Sequence, residues 1–211
     1  MKILVIGASQ GTGALAVKAA LDKGHEVTAF ARSPEKLTLE HANLKKLKGD
    51  FHQSASVSAA VEGHDAVIIT ASATRLSAFK DNPHYFSQGT GYVIDAMKKY
   101  GVKRLSVLSA LGTGESRALL NPIVRLLLVN FILKLAFVDH ERQEEQLRQS
   151  GLEWIVARPG RLTNGPAKHA YVKKTAIESV PSAISRADVA DFLVTACEIP
   201  DWNGRAVQLG G

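Results

Sequence analysis

Apolar residues in this chain alternate between two rhythms: short β-branched runs, and longer stretches in which apolar positions recur with helical spacing. The first run, Ile3-Leu4-Val5-Ile6, has the length and composition of a strand buried on both faces. An alanine-rich helical stretch, Ala14 to Lys23, begins shortly after it. Further strands are predicted over His25–Phe30, Asn43–Lys48, Asp65–Ala71, Val102–Leu108, Leu152–Ala157 and Arg205–Leu209. Helices are predicted over Ser54–Val61, over His84–Tyr100 with Gly101 closing it, and over Phe137–Ser150 with Gly151 after it. A last helix starts at Ser185-Arg186-Ala187-Asp188 and runs to about Glu198. Such alternation predicts an α/β fold with a doubly wound, mainly parallel sheet and helices on both faces.

The turn between the first strand and the first helix reads Gly7-Ala8-Ser9-Gln10-Gly11-Thr12-Gly13. Glycines there allow a tight turn, let a pyrophosphate approach bare backbone, and let helix pack on strand. The helix start adds N–H groups and the positive end of its dipole. Strand, glycine turn and helix together predict a Rossmann-type dinucleotide site holding Gly7, Ser9, Gln10, Gly11, Thr12 and Gly13. In NAD-binding versions a carboxylate about 20 residues beyond the glycines grips the ribose 2′-hydroxyl. Here the second strand ends in Ala31-Arg32-Ser33-Pro34, with no acid. A guanidinium and a hydroxyl suit a 2′-phosphate, so Arg32 and Ser33 predict NADP(H) over NAD(H). Ligands of such folds sit at the carboxyl ends of the strands, which singles out Thr70, Ala71, Ser72, Ser109, Ala110, Arg158, Pro159 and Gly160.

The chain has 211 residues, 45% of them hydrophobic, enough for one domain spanning 1–211. A smaller substrate-side region is expected from about 111–138 and 161–185. Net charge is +6, but the basic residues are dispersed among acids. That fits attraction for phosphate-bearing ligands and gives no nucleic-acid footprint. Cys197 is the only cysteine, which excludes an internal disulfide and fits a reducing, cytoplasmic setting. It is expected to be an inert core residue. Met1 leads directly into the first strand, so no leader is expected. Leu119 to Val138 is nearly all apolar, yet Arg125, Asn130 and Lys134 interrupt it and Pro122 sits near its start. A spanning helix needs about 20 mainly apolar residues. The segment therefore reads as a helix pair or lid lining an apolar pocket, without membrane contact.

In the order of its landmarks the chain resembles the atypical short-chain dehydrogenase/reductases. It is most similar to the NAD(P)H-binding group that includes biliverdin-IXβ reductase/flavin reductase and NmrA-like proteins. The landmarks are the glycine turn, Gly49-Asp50, Ser106-Val107-Leu108-Ser109, the helix from Asp139-His140 to Ser150-Gly151-Leu152, Arg158-Pro159-Gly160 and Ser185 to Ala190. The resemblance implies that Asp50 and Phe51 flank the adenine. It implies that Thr70, Ala71 and Ser72 line the cofactor between ribose and nicotinamide, that Arg158 and Pro159 contact it, and that Ser109 lies near nicotinamide and substrate. Most relatives carry Tyr-x-x-x-Lys after the fifth strand, with tyrosine the proton donor. No tyrosine here has lysine four positions on: Gly89, Ala96, Arg104 and Thr175 follow Tyr85, Tyr92, Tyr100 and Tyr171. Counting back from Leu147, Ala136 falls at the tyrosine position and His140 at the lysine position.

Loss of that tyrosine bears on the reaction. Reducing an isolated ketone generates alkoxide character and calls for a placed proton donor. A flavin, quinone or similar flat conjugated acceptor spreads the charge, and water can supply the proton. The expected activity is NADPH-dependent reduction of such an apolar acceptor by a monomer or homodimer. A non-catalytic NADP-sensing regulator is the alternative, and a nucleotide-sugar epimerase or dehydratase fits less well. Ser109 and His140 are the catalytic candidates. Thr163 and Asn164 are expected near the nicotinamide carboxamide, Arg186 is expected to pair or cap at its helix start, and Tyr171 is read as part of a surface strand. The other histidines are scattered and no metal site is expected.

Overall fold

The computed structural model describes residues 1–72, 78–126 and 133–211. Its strands and helices follow in order: β1 (Lys2–Ile6), α1 (Gly11–Asp22), β2 (Glu26–Ala31), β3 (Leu44–Lys48), α2 (Ser54–Val61), β4 (Ala66–Ile69), α3 (Ala78–Asp81), α4 (Tyr85–Tyr100) and β5 (Arg104–Leu108). Then come α5 (Pro122–Val124), α6 (Lys134–Gln149), β6 (Glu153–Pro159), β7 (Arg161–Thr163), β8 (Val172–Lys174), β9 (Ala183–Ser185), α7 (Arg186–Glu198) and β10 (Arg205–Gly210). Two 3₁₀ turns, Pro34–Lys36 and Gly114–Leu119, lie between them. The main sheet has the order β3-β2-β1-β4-β5-β6-β10-β8. All its neighbours pair in parallel except β8, which runs antiparallel to β10 at the edge. The fold is therefore the predicted doubly wound α/β sheet, with the order 3-2-1-4-5-6 of dinucleotide-binding folds.

Side chains alternate across each strand, so β1, buried from Ile3 to Ile6, feeds two cores. Ile3 and Val5 pack with Ala16, Val17 and Ala20 of α1 and with Val189, Phe192 and Leu193 of α7. Leu4 and Ile6 face the opposite side, against Val57 and Val61 of α2, Val93 and Met97 of α4 and Leu147 of α6. Cys197 lies in the first of these cores, where burial pushes its thiol up to about 11. It is a buried core residue, as the apolar late helix predicted.

The structure departs from the sequence reading at several places. α1 starts at Gly11 rather than Ala14, because Ala14 N–H donates to the Gln10 carbonyl at 3.3 Å and makes the glycine turn its first turn. α6 begins at Lys134, ahead of the expected Phe137. Strands β7 and β9, each three residues long, form a separate parallel pair. Tyr171 is not on the surface. It is 9% exposed, and its hydroxyl donates to Asp191 at 3.0 Å. In the apolar 119–138 stretch, α5 is a single turn, and Ile123, Leu126 and Leu135 are exposed. Residues 127–132 of that expectation lie outside the described residues. No helix among the described residues is long and apolar enough to cross a membrane.

Candidate functional site

Strand order reverses between β1 and β4, which pair with each other in parallel at the middle of the sheet. The crevice outside their carboxyl ends is where doubly wound sheets bind ligands. A cleft of about 220 Å³ opens there, lined by Gly7, Ser9 and Gln10 from the glycine turn and by Ala31, which ends β2, with Arg32, Ser33 and Lys36 after it. Asp50, Phe51 and His52 follow β3, and Ala71, Ser72 and Tyr85 close the remaining wall.

Two glycines set the shape of the phosphate end. Gly7 sits at φ +86°, and a Cβ there would lie 2.7 Å from the Ala71 backbone nitrogen. A Cβ on Gly13 would lie 2.2 Å from the Gly7 carbonyl oxygen, so only glycine lets α1 approach β1 this closely. Gln10, the N-cap of α1, makes no side-chain capping bond and the first turn holds no acid. The first N–H groups of that turn have no intrahelical partner, the arrangement that suits an anion at a helix start. Thr12 is buried in this turn. Thr70 is also turned inward, its hydroxyl donating to the Ile6 carbonyl at 2.9 Å. It locks β4 to β1 and is not on the cleft wall.

At the β2 end, Arg32 and Lys36 are exposed cations on one wall of the cleft. Pro34 starts a 3₁₀ turn that carries Lys36 to the same cleft as Arg32. Neither forms a salt bridge among the described residues. Across the cleft, Asp50 accepts the His52 N–H at 2.9 Å, and the His52 ring packs edge-on against Tyr85 at 4.4 Å. Tyr85 donates from its hydroxyl to the Ser72 carbonyl at 3.3 Å, and burial raises its pKa. Lys36, His52 and Tyr85 were not singled out from the sequence. The only local signal was the Pro-containing spacing between Arg32 and Lys36, and nothing in the sequence joins Tyr85 to residue 52.

Ser109, His140 and Arg158 lie away from this cleft wall. Ser109 ends β5 and is 6% exposed; its Oγ is 2.8 Å from Glu144 Oε1. His140 is on α6, stacked on Phe86 with ring centroids 4.0 Å apart, and its Nδ1 meets Gln143 Oε1 at 2.9 Å. Burial pulls its pKa down, which favours a neutral imidazole. Arg158, placed on the cofactor by resemblance, is fully buried and its guanidinium serves protein carboxylates instead. Its Nε meets Glu144 Oε1 at 3.1 Å and its Nη1 meets Glu115 Oε1 at 2.7 Å. Burial alone would lower the Arg158 pKa, but these two carboxylates outweigh it and raise it. Pro159 is a buried strand end whose carbonyl accepts the Leu111 N–H. Thr163 donates to the Ile184 carbonyl at 3.3 Å, joining β7 to β9. Asn164 accepts from Arg186 Nη1 at 2.7 Å, so Arg186 pairs at the start of α7 while Ser185 caps it. No group of three metal-ligating side chains is present among the described residues.

Residues 7–200 match a family profile described as NAD(P)H-binding. The chain is 27% identical over 212 residues, 99% of its length and 94% of the relative's, to a sugar epimerase of Bacillus subtilis (strain 168), YhfK, that is described as uncharacterised. It is 26% identical over 250 residues to the sanguinarine reductase of Eschscholzia californica, covering all of this chain and 89% of that one. Among solved structures it superposes with a TM-score of 0.80 on ChuY, an anaerobilin reductase from Escherichia coli O157:H7, at 23% identity over 100% of this chain and 97% of ChuY. That likeness establishes the fold.

Proposed function

As a member of the NAD(P)H-binding family, this chain, we propose, is an NADPH-dependent reductase of a flavin, a quinone or a similar flat conjugated acceptor. The observation that carries the reading is the cationic rim of the cleft, Arg32 with Lys36, opposite a glycine turn that leaves bare backbone and an uncapped helix start. A 2′-phosphate gains charge-assisted hydrogen bonds from such a rim, whereas a 2′-hydroxyl has no carboxylate to meet there. Gly7, Ser9, Gln10 and the first turn of α1 would hold the pyrophosphate, and Asp50, Phe51 and His52 would flank the adenine. Ala71 and Ser72 would border the path from ribose to nicotinamide. Bound NADPH supplies the hydride.

The choice of acceptor follows from what the protein lacks. Ala136 stands where related enzymes have a tyrosine, and His140 is buried, stacked and held toward its neutral form. An acceptor that delocalises charge has no need of a placed acid. One relative is named as a reductase, which supports this reading, and another carries an epimerase name. A second reading, an NADP sensor without turnover, is favoured by the same buried His140. Oxidation of NADPH against FMN and a panel of small quinones separates the two. Turnover with one acceptor supports the reductase, and tight NADPH binding with no turnover supports the sensor.

A further inference from the structure

The hydrogen bonds around Ser109 fix the direction in which its hydroxyl works. Glu144, 1% exposed, receives Arg158 Nε at 3.1 Å on Oε1 and Arg158 Nη2 on Oε2, with Arg148 Nη2 3.4 Å from Oε2. A carboxylate between two guanidinium groups accepts hydrogen bonds and has no proton to give. Ser109 Oγ, 2.8 Å from Glu144 Oε1, must therefore donate its one proton to Glu144. Thr113 Oγ1 lies 3.3 Å from the same Ser109 oxygen and is itself fully buried. With the serine proton already placed, the Thr113 hydroxyl is the donor of that pair. One lone pair of Ser109 is left for a further partner, and no proton is left.

We infer that Ser109 works as a hydrogen-bond acceptor, not as a proton or hydrogen-bond donor, and that Glu144 is the positioning residue that sets this polarity. The inference rests on the reductase reading for its consequence and on geometry alone for its content. Hydride addition to a carbonyl leaves an oxyanion that has to gain a proton. Since Ser109 cannot give one, water does: reduced nicotinamide, one proton and the acceptor enter, and oxidised nicotinamide and the reduced acceptor leave. A group meeting Ser109 gains from it only by bringing an N–H or O–H. Acceptors that present a bare carbonyl at this point gain nothing from the serine.

Two measurements test this. Neutron diffraction from deuterated crystals of the cofactor-free protein locates the Ser109 deuteron. Density on the line from Oγ to Glu144 Oε1 is expected, and density directed at Thr113 or away from both overturns the inference whatever the enzyme does. In steady-state assays with FMN, which carries a ring N–H, Ser109→Ala is expected to raise KM by loss of an accepted hydrogen bond, without the fall in kcat, on the order of 10²- to 10⁴-fold, that loss of a proton-donating group costs. A fall of that size at unchanged KM overturns it. Absence of NADPH oxidation in the unmodified protein would instead sink the reductase reading and leave the neutron result to decide the role of Ser109.

Discussion

Arg158 is the residue on which the buried polar region depends. Its guanidinium is fully buried and neutralises Glu144, whose carboxylate is 2% exposed, while Glu115 reaches it from the half-exposed loop after β5. Removing one partner of a buried pair leaves the other charge without compensation, which costs about 3–5 kcal/mol, whereas replacing both by apolar residues is often neutral. Arg158→Met is therefore expected to lose about that much stability in urea unfolding, and Arg158→Met with Glu144→Leu to recover most of it. A single variant as stable as the parent would show that the pair contributes little. None of this was legible in the sequence, where Arg158 looked like a cofactor ligand in a motif. A side chain at a strand's carboxyl end can point toward the ligand or under the neighbouring helix, and periodicity does not decide between them. The glycine turn and Arg32 were legible because their partners are local: a strand before, a helix after, and backbone that only glycine tolerates.

Among the elements, α7 shows how a helix start can organise a loop. Ser185 accepts the Asp188 N–H as N-cap, and Asp188 returns its carboxylate to the Ser185 hydroxyl and to the N–H groups of Lys168 and His169 at 2.8 and 2.9 Å. Burial opposes ionisation of Asp188, but these hydrogen bonds outweigh it and hold its pKa below the usual carboxylate value. A carboxyl depressed in the folded state adds stability that is complete above its unfolded pKa and is lost as pH falls through its folded pKa. Thermal unfolding should thus show a stability loss in acid that is smaller in Asp188→Asn, which is already less stable at neutral pH. Parallel pH profiles for the two proteins would contradict this. The capping serine was legible, since Ser-x-x-Asp before an apolar run is a helix-start pattern. The loop it holds was not, nor were β7 and β9, because three-residue strands carry no alternation to read and their partners lie far along the chain.

At the scale of the whole molecule, a reversal of strand order places one helix start, one cationic turn and one aromatic wall around a single crevice. The alternation of strands and helices made that architecture legible, because each buried run and each amphipathic stretch had the length of its element. The far wall was not, because Tyr85 meets His52 only once α4 has packed against α2. The proposed preference of this crevice for NADP(H) over NAD(H) rests on Arg32 and Lys36. Hydrogen bonds to a charged group contribute about 1.5–3 kcal/mol, or roughly 10- to 100-fold in affinity. Calorimetric titration with NADPH and NADH, of the parent protein and of the variant carrying Arg32→Ala with Lys36→Ala, measures this directly. Tighter NADPH binding by at least about tenfold is expected in the parent, with near-equal affinities in the double variant. Equal affinities in the parent, or a preference that survives loss of both cations, would contradict it.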